Sequence, residues 1–337
     1  MNAPTRAEFL AERKKGLGGT DMAVILGLSP YKTPLALWLE KTGRAEDQHA
    51  PDAEERMYWG SALEDTVARR YAELKGVRIQ RVNEPLIHAN GIVRGNIDRA
   101  IINPAIARNV RFKDGRLTTD RILEVKTAHA MARNSADWGA AGSDEVPQHY
   151  WIQVQTYLGL AQCETADLAV LFGGQKMETY TIAADRQLFA DLLNEAETWW
   201  QKHIVSDTPP EASTEDDARR LWKSHLAGKE LIVDALVADA VQQYAETKEE
   251  IAEKEKEAQV LRDIICSAIG DAETISYMGR RLASWKANKA SQKTDWKMAF
   301  VDAHCALGVP ANDARLIEAI VRNTTTTDGA RVLRLAK

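Results

Sequence analysis

The chain has 337 residues, of which 45% are hydrophobic, so it can bury the core of one large domain or two ordinary ones, and we expect two. Its formal net charge of −5 at pH 7 does not by itself indicate a nucleic-acid partner. Its three cysteines, Cys163, Cys266 and Cys305, form no C-x-x-C pair, which argues against a zinc knuckle, a disulfide framework or a four-cysteine iron–sulfur cluster.

The N-terminal segment has no apolar run like that of a signal peptide, and no later stretch approaches the ~18 apolar residues of a membrane span. We therefore expect a soluble protein of the reducing cytoplasm, with no membrane contact. A helix is predicted over 5–15, ending at GLGG. Thr20 can cap a short helix, TDMAVILG, and Pro34 opens the next, PLALWLEKTG. Residues 54–74 predict a long amphipathic helix with Glu64 near its apolar stripe.

Strand-like runs follow in VRIQRV, EPLIHA and GIVRGNIDRAII, and Asn90-Gly91 between the last two is a strong hairpin signal. After a polar, irregular stretch, RILEVKTA at 121–128 predicts another strand. A helix, QHYWIQVQTYLGLA, two strands, ADLAVLF and METYTIA, and a helix over 185–203 complete the unit. This order predicts a mixed α/β domain whose central sheet is flanked by helices.

The segment SDTPPEASTEDDA has the composition of a linker, and we place a domain boundary there, between residues 208 and 209. Beyond it, residues 231–269 predict one long helix with a narrow apolar stripe from Val237, which indicates packing against another surface. TISYMGRRLASWKAN predicts a hairpin, residues 296–307 a helix and GARVLRLAK a last strand. Residues 209–337 are therefore expected to form an α+β extension.

Basic residues are concentrated around the predicted hairpin of this extension. In SWKANKASQKTDWK, lysines alternate with Trp285 and Trp296 as on nucleic-acid-binding surfaces, and the candidate DNA contacts of this region are Arg280, Arg281, Lys286 and Lys289. A DNA contact and an ordinary solvated hairpin both explain the pattern, and the second is slightly favoured.

RILEVKTA carries an acid and a base two places apart among apolar residues. Side chains alternate between the two faces of a strand, so Glu124 and Lys126 point one way, and Leu123 and Val125 the other. An isolated triplet of this kind is more often a solvent-facing edge. Asp98 also lies among apolar residues, one strand upstream. It favours a functional pair over a solvent-facing edge, because a buried carboxylate needs a compensating partner.

Two carboxylates beside a lysine form a hard, oxygen-rich site that suits Mg²⁺ or Mn²⁺ better than zinc. Glu64 can add a third acid from the flanking helix, and the Val125 carbonyl would point toward the metal if the strand bends there. Such a site polarises a phosphodiester and lowers the pKa of the attacking water. Lys126 would position that water or neutralise developing charge. The residues therefore predict hydrolysis of a phosphodiester.

Five ordered motifs are similar to those of the lambda exonuclease group, or YqaJ-type viral recombinases, within the PD-(D/E)XK nucleases. They are GLGGTDMAVILGLSPYKTPLALWLEKTG, WGSALED, GNIDRA, LEVKTA and QHYWIQVQTYLGL. The resemblance covers the chain up to the predicted linker. It implies that Asp98, Glu124 and the Val125 carbonyl bind the metal, that Glu64 lies close by, and that Lys126 serves the attacking water.

The resemblance also implies binding residues outside the metal site. Arg13 and Thr20 fall at the family's spacing for a pocket that holds a 5′ phosphate, although a solvated helix end and a helix cap also explain them. Tyr150, Gln153 and Gln155 match its Y-x-x-Q-x-Q helix, whose glutamines help to order the active site. Helix positions two apart differ by roughly 200°, so we expect Gln153, with Tyr150, to face the metals and Gln155 to serve packing.

The function implied is that of a Mg²⁺-dependent exonuclease with two ions, for which Mn²⁺ can substitute. It would degrade linear double-stranded DNA from the 5′ end and leave 3′ overhangs for phage-type recombination. A homotrimeric ring, a single-strand annealing protein as partner, and a phage or prophage origin in a bacterial cell are implied as well. An endonuclease on the same core and a non-catalytic DNA-end-binding scaffold remain alternatives. The chain departs from the family pattern at Ile97 and Arg99, which flank Asp98, and at Phe9.

Overall fold

The structure is a computed structural model that describes residues 12–45, 51–222, 224, 226–296, 298–299, 303, 314–327 and 331–335. Phe9, the start of the first predicted helix and most of the helix predicted over 296–307 lie outside these residues. The chain divides into two compact units, Met1–Ala227 and Gly228–Lys337. Among the described helices, none has both the length and the apolar character needed to cross a membrane.

The first unit alternates helices and strands. Its α-helices are α1 (Gly19–Ile25), α2 (Pro34–Lys41), α3 (Pro51–Lys75), α4 (Gln148–Ala161), α5 (Arg186–Trp199) and α6 (Glu215–Leu221). Its strands are β1 (Ile79–Gln80), β2 (Leu86–Ile87), β3 (Arg94–Gly95), β4 (Arg99–Ile101), β5 (Phe112–Lys113), β6 (Arg116–Leu117), β7 (Arg121–Ala128), β8 (Thr165–Phe172) and β9 (Lys176–Ala183).

A five-stranded sheet in the order β1-β4-β7-β8-β9 forms the centre of this unit. It is mixed, because β7 and β8 run parallel while the other neighbouring pairs are antiparallel. The predicted mixed α/β fold is thus confirmed. The middle strand, β7, contains all eight residues of RILEVKTA. Its pairing with β4 ends at Leu123, and among the described residues no strand continues on that side.

Helices cover both faces of the sheet, and the alternation along β7 explains why. Leu123 and Val125 pack in the cluster formed with α3. Ile122 belongs instead to the larger cluster that contains residues of α1, α2 and α4. Glu124 shares the face of Ile122, so its carboxylate is buried beneath α4.

The strands before β7 are shorter than the sequence predicted. VRIQRV and EPLIHA contribute only the two-residue strands β1 and β2, and GIVRGNIDRAII is divided into β3 and β4. The predicted Asn-Gly turn is present, with Gly91 at φ 71° and the Asn90 carboxamide accepting from Ile92 N at 3.0 Å. The polar stretch predicted as irregular contains the small hairpin β5–β6 around Asp114-Gly115.

Two helix starts show how local chemistry decides the boundaries. The prediction that Thr20 caps α1 is wrong, because the helix begins at Gly19 with Gly18 as its cap. The Asp21 carboxylate accepts a hydrogen bond from Gly18 N at 2.9 Å and so closes that first turn. Pro34 does open α2, and Thr33 caps it by accepting from the Ala36 amide at 3.1 Å.

The end of the first unit differs from the linker that its composition suggested. The helix predicted to reach residue 203 continues past α5 as one π-helical turn, Trp200–Val205. Asp217 of α6 is buried and accepts from Thr33 Oγ1 at 2.7 Å. Because α6 packs on the first unit, the two units divide after Ala227, later than the boundary placed at 208/209.

The second unit contains the predicted long helix and hairpin. Its elements are α7 (Ala235–Ile269), β10 (Thr274–Tyr277), β11 (Arg280–Ala287), β12 (Ser291–Thr294), α8 (Ala314–Arg322), β13 (Thr324–Thr327) and β14 (Arg331–Leu335). Asp234 caps α7, which therefore starts four residues after the predicted Leu231. β10 and β11 form the hairpin, β14 extends it to a three-stranded sheet, and β12 pairs with β13.

Candidate active site

Glu124 lies at the centre of the site, between β7 and α4, and is 2% exposed. Its Oε1 accepts from Lys126 Nζ at 2.6 Å and from Gln153 Nε2 at 2.7 Å. Gln153 also donates to the Tyr157 hydroxyl at 3.2 Å. Both donors thus bind one oxygen, while Glu124 Oε2 is buried without a hydrogen-bond partner in the described part of the chain.

Asp98 lies just before β4, where the pairing of β4 with β7 ends. Its Oδ2 accepts from Val125 N at 2.8 Å. Within a strand the N–H and C=O of one residue point to the same side, so the Val125 carbonyl also points toward the Asp98 side. An extended strand therefore directs the carbonyl to this side, and the bend considered from sequence is unnecessary.

The pKa values of both carboxyl groups are raised. Burial raises the pKa of Glu124 to about 8, and the nearby charge of Asp98 adds to this. Burial also raises the pKa of Asp98, against the opposing effect of Lys126. Burial alone would lower the pKa of Lys126, but the charges of Glu124 and Asp98 outweigh it and raise the pKa. Lys126 therefore remains protonated at neutral pH.

A divalent cation fits these acids. The unpartnered Oε2 of Glu124 is a buried acceptor that nothing in the described residues compensates. Oxygen atoms from Glu124, Asp98 and the Val125 carbonyl are the ligands that Mg²⁺ and Mn²⁺ prefer. Across the described ranges, no three Asp, Glu, His or Cys side chains are grouped so that they could hold one ion. A main-chain oxygen would therefore complete the protein's ligand set.

Glu64 reaches the site from α3 but is already paired. Its Oε1 accepts from Arg99 NH1 at 2.7 Å and from Arg81 NH2 at 3.4 Å. Arg99 is buried, and it also donates to Asp65 Oδ1 at 3.1 Å. Glu64 thus lies near both acids with its charge compensated by Arg99, and its place among the metal ligands stays a prediction. Arg99 directly follows Asp98 in the sequence. This departure from the family pattern was the local feature that could have indicated the pairing of Arg99 with Glu64.

A cavity of about 520 Å³ opens beside these acids. It is lined by sequence-predicted residues from four separate segments, namely Arg13, Thr20, Glu64 and Asp98. Three further arginines of the lining were not predicted, namely Arg81, Arg94 and Arg99. Guanidinium groups bind phosphate through paired donors, so the cavity combines groups suited to phosphate with one of the two acids.

A buried ion pair supports the Arg13 wall of this cavity. Lys41 Nζ donates to Asp21 Oδ2 at 2.6 Å and to the Arg13 carbonyl at 2.7 Å. Arg13 NH2 lies 4.0 Å from the other oxygen of Asp21. Sequence analysis missed both partners, because the pair joins two different helices. The local feature that could have indicated this ion pair was a lysine near the end of the apolar helix PLALWLEK.

The two glutamines of α4 have separate roles, as their spacing predicted. Gln155 donates to the Ala183 carbonyl at 2.8 Å and accepts from Asp185 N at 2.9 Å. It stabilises the connection from β9 to α5 and does not line the cavity, and its contact with DNA stays a prediction. Gln153 binds Glu124, and the Tyr150 ring centroid lies 5.6 Å from Lys126 Nζ.

The four basic residues suggested as DNA contacts belong to the second unit. Arg280, Arg281 and Lys286 lie on β11, and Lys289 follows it. Lys286 forms an ion pair with Glu273. Their contact with DNA stays a prediction.

Comparisons with known proteins agree on one family. A family model described as the YqaJ-like viral recombinase domain matches residues 8–164. The YqaJ protein of Bacillus subtilis (strain 168) is 33% identical over 290 residues, which span 84% of this chain and 83% of that protein.

Solved structures of exonucleases are also similar. The alkaline exonuclease LHK-Exo of Laribacter hongkongensis has a TM-score of 0.43 at 13% identity, covering 59% of this chain and 93% of its own. A phage-related exonuclease of Haemophilus somnus 129PT has a TM-score of 0.39 at 14% identity, covering 57% of this chain and 96% of its own.

Proposed function

Because the chain belongs to the family of YqaJ-like viral recombinases, we propose that it is a metal-dependent exonuclease acting on linear double-stranded DNA. It would remove nucleotides in the 5′-to-3′ direction and leave 3′ single strands for recombination by strand annealing. The observation that carries the proposal is the cavity, in which Arg13 and Thr20 share one space with Asp98. Glu124, with its unpartnered buried oxygen, lies directly behind.

The arginine-rich part of the cavity would determine the strand polarity of cleavage, because it would bind the phosphate of one kind of end. The guanidinium of Arg13 is partly exposed, while its backbone is held by Lys41. A guanidinium held in place pairs well with the oxygens of a terminal phosphate. A 5′ phosphate bound there would place the adjoining phosphodiester at Asp98 and Glu124. Only an end of the correct polarity satisfies both contacts.

Asp98, Glu124 and the Val125 carbonyl would hold the divalent cation, with two Mg²⁺ ions, or Mn²⁺, in the complete site. When bound, such a cation supplies Lewis-acid polarisation of the phosphodiester and a lower pKa for the attacking water. Gln153 orients Glu124 by binding Oε1, which leaves Oε2 available. In the metal-free protein the charges of Glu124 and Asp98 raise the pKa of Lys126, so its ammonium group would donate to the attacking water or to developing negative charge.

The family resemblance also supports two statements about assembly. We propose a homotrimeric ring that encloses the duplex, and cooperation with a single-strand annealing protein of the same phage or prophage. Residues beyond the first unit would dock this partner or extend the DNA path through the β10–β11 hairpin. Because α6 packs on the first unit, truncation after Ala227, followed by separate assays of cleavage and partner binding, distinguishes these roles.

Digestion of a linear duplex labelled at each end, with and without 5′ phosphates, tests the proposed activity. We expect metal-dependent release from 5′ ends, faster from phosphorylated ends, and its loss in Lys126→Ala. Covalently closed circular DNA is the control and should remain intact. Cleavage of the circle would indicate an endonuclease, and binding of ends without cleavage in Mg²⁺ would indicate a scaffold.

A further inference from the structure

Aromatic rings form a continuous row from the Lys126 ammonium to the protein surface. Lys126 Nζ lies 5.6 Å from the Tyr150 ring centroid. The Tyr150 and His149 ring centroids are 4.0 Å apart, and the His149 and Tyr31 centroids are 5.6 Å apart at an interplanar angle of 84°. Tyr31 is 77% exposed. The row thus ends in a ring that faces solvent beside the proposed reaction centre.

A side-chain hydrogen bond joins Tyr150 to Tyr31, but the packing of the fold does not account for the exposure of the Tyr31 ring. Tyr31 lies in the loop between α1 and α2, and its ring remains exposed although Leu35 and Leu37 nearby are fully buried. His149 Nε2 is buried, and within the described residues it has no hydrogen-bond partner. An aromatic ring that stays exposed beside a proposed reaction centre is expected where a ligand covers its face.

The chemistry of the row favours a nucleobase over a phosphate. Burial, and then the charge of Lys126, lower the pKa of His149, so its ring is uncharged at neutral pH. Tyr31 and His149 therefore offer uncharged aromatic surface and no counter-charge for an anion. Nucleobases stack on such surfaces whatever the base, because every base has a π face. The phosphates of the same strand have Lys126 and the cavity arginines as partners.

Helix α4 fixes the position of the row relative to the cavity. Tyr157 lines the cavity, Gln153 binds Glu124, and Tyr150 lies over Lys126. At 1.5 Å per residue, the Tyr157 and Tyr150 positions are roughly 10 Å apart along the helix axis, with the Glu124 contact between them. The cavity and the row therefore lie on opposite sides of Glu124. A strand whose terminal phosphate occupied the cavity would pass the acids and then reach the row.

We propose that Tyr31 and His149 form a stacking site for an unpaired nucleobase of the strand under attack, on the opposite side of the acids from the cavity. This inference rests on the proposed exonuclease function and adds to it how the duplex end is opened. Stacking would hold one base out of the duplex, so that its phosphodiester reaches Asp98 and Glu124. The site would accept any of the four bases.

Fluorescence of 2-aminopurine tests the site without cleavage. The probe is placed at the first, second or third nucleotide from the 5′-phosphorylated end of a duplex, and binding is measured in EDTA. Wild-type protein is expected to quench the probe strongly at one of these positions. Tyr31→Leu should abolish this quenching and weaken binding of the end by about 5- to 150-fold, because one base–aromatic stack is worth about 1–3 kcal/mol. Tyr31→Trp should retain both.

Two control variants separate stacking from other effects. Tyr244→Leu makes the same change at a tyrosine of α7 that is 69% exposed, and it should behave as wild type. Tyr31→Phe should keep the quenching, because stacking requires the ring and not the hydroxyl group. An equal loss in Tyr31→Phe would overturn the inference in favour of a hydroxyl contact.

Cleavage assays distinguish failure of this inference from failure of the proposed function. Tyr31→Leu should cleave a fully paired end more slowly than wild type, and should recover on an end whose terminal nucleotides are mismatched. If Tyr31→Leu quenches and cleaves as wild type, the stacking site is refuted and the exonuclease stands. If wild-type protein cleaves neither end, the proposed exonuclease function is refuted instead.

Discussion

Two buried carboxylates of the same sheet, Asp167 on β8 and Glu124 on β7, differ sharply in how their oxygens are used. Asp167 accepts from Arg121 NH2 at 2.6 Å, from Thr181 Oγ1 at 2.8 Å and from the Tyr71 hydroxyl. Glu124 receives two donors on one oxygen, and the other is left without a partner among the described residues.

The difference separates a group that stabilises the fold from a group that is available to bind. A buried polar atom without a partner costs about 1–3 kcal/mol, so Glu124 reduces the stability of the free protein. Such a cost is expected where a ligand later supplies the missing interaction. Asp167 carries no comparable cost, because both of its oxygens accept hydrogen bonds.

The largest expected effect is on stability, at Asp167. Asp167→Ala leaves the Arg121 guanidinium and the buried Tyr71 hydroxyl without their acceptor. We expect a loss of about 3–5 kcal/mol in the free energy of unfolding, measured by urea denaturation. Asp191→Ala, at an exposed carboxylate of α5, is the matched control and should change stability by less than about 0.5 kcal/mol. Equal effects of the two variants would show that the Asp167 network contributes nothing.

The next effect is on catalysis, at Lys126. Lys126→Ala removes the protonated donor beside Glu124, and we expect cleavage of a linear duplex to slow by about 10²–10³-fold. Lys176→Ala, at an exposed lysine of β9, is the control and should cleave at the wild-type rate. Lys126→Ala with wild-type cleavage would remove this residue from the mechanism.

Substitutions of the two glutamines of α4 should have smaller effects, which again separate a residue that stabilises the fold from one that serves the active site. Gln155→Leu leaves the Ala183 carbonyl and the Asp185 amide without partners, so unfolding should become easier by about 1–3 kcal/mol. Gln153→Leu should instead slow cleavage, because Glu124 loses the donor that orients it. Unfolding and cleavage measured on both variants check this separation. The same profile in both would contradict the different roles assigned to them.

The last expected effect is the pH dependence of the stability of the metal-free protein. Folding raises the pKa of Glu124 from 4.5 to about 8, so the folded state holds a proton that the unfolded state has already released. Stability should therefore fall by about 3 kcal/mol as the pH rises from about 5 to 8. Glu124→Gln cannot titrate, and its stability should change less over this range. Parallel curves for the two proteins in EDTA would refute this.

Physical reasons decide which parts could be predicted from the sequence. The strand β7 and its acid–lysine pair were predictable, because the alternation of apolar and charged residues from Leu123 to Lys126 is a local pattern. The separation of Gln153 from Gln155 followed from helix geometry alone. The strands β1 to β4 were overestimated, because strands of two or three residues are decided by tertiary pairing and not by propensity.

Contacts between distant segments account for what sequence reasoning missed. Arg99 pairs with Glu64 across β4 and α3, and Lys41 pairs with Asp21 across two helices. No local pattern predicts either pair. The acidic segment that forms α6 resembles a linker in composition, but the contact of Asp217 with Thr33 and the packing of Leu221 on the larger core cluster show that it belongs to the first unit.

Binding of a divalent cation tests the central claim most directly. Mn²⁺ and Mg²⁺ would be titrated calorimetrically into the wild-type protein and into the variants Asp98→Asn, Glu124→Gln and Glu64→Gln. We expect binding to wild type, loss of binding in Asp98→Asn and Glu124→Gln, and retained binding in Glu64→Gln, whose carboxylate is already held by Arg99. Binding in Asp98→Asn and Glu124→Gln as tight as in wild type would contradict this claim.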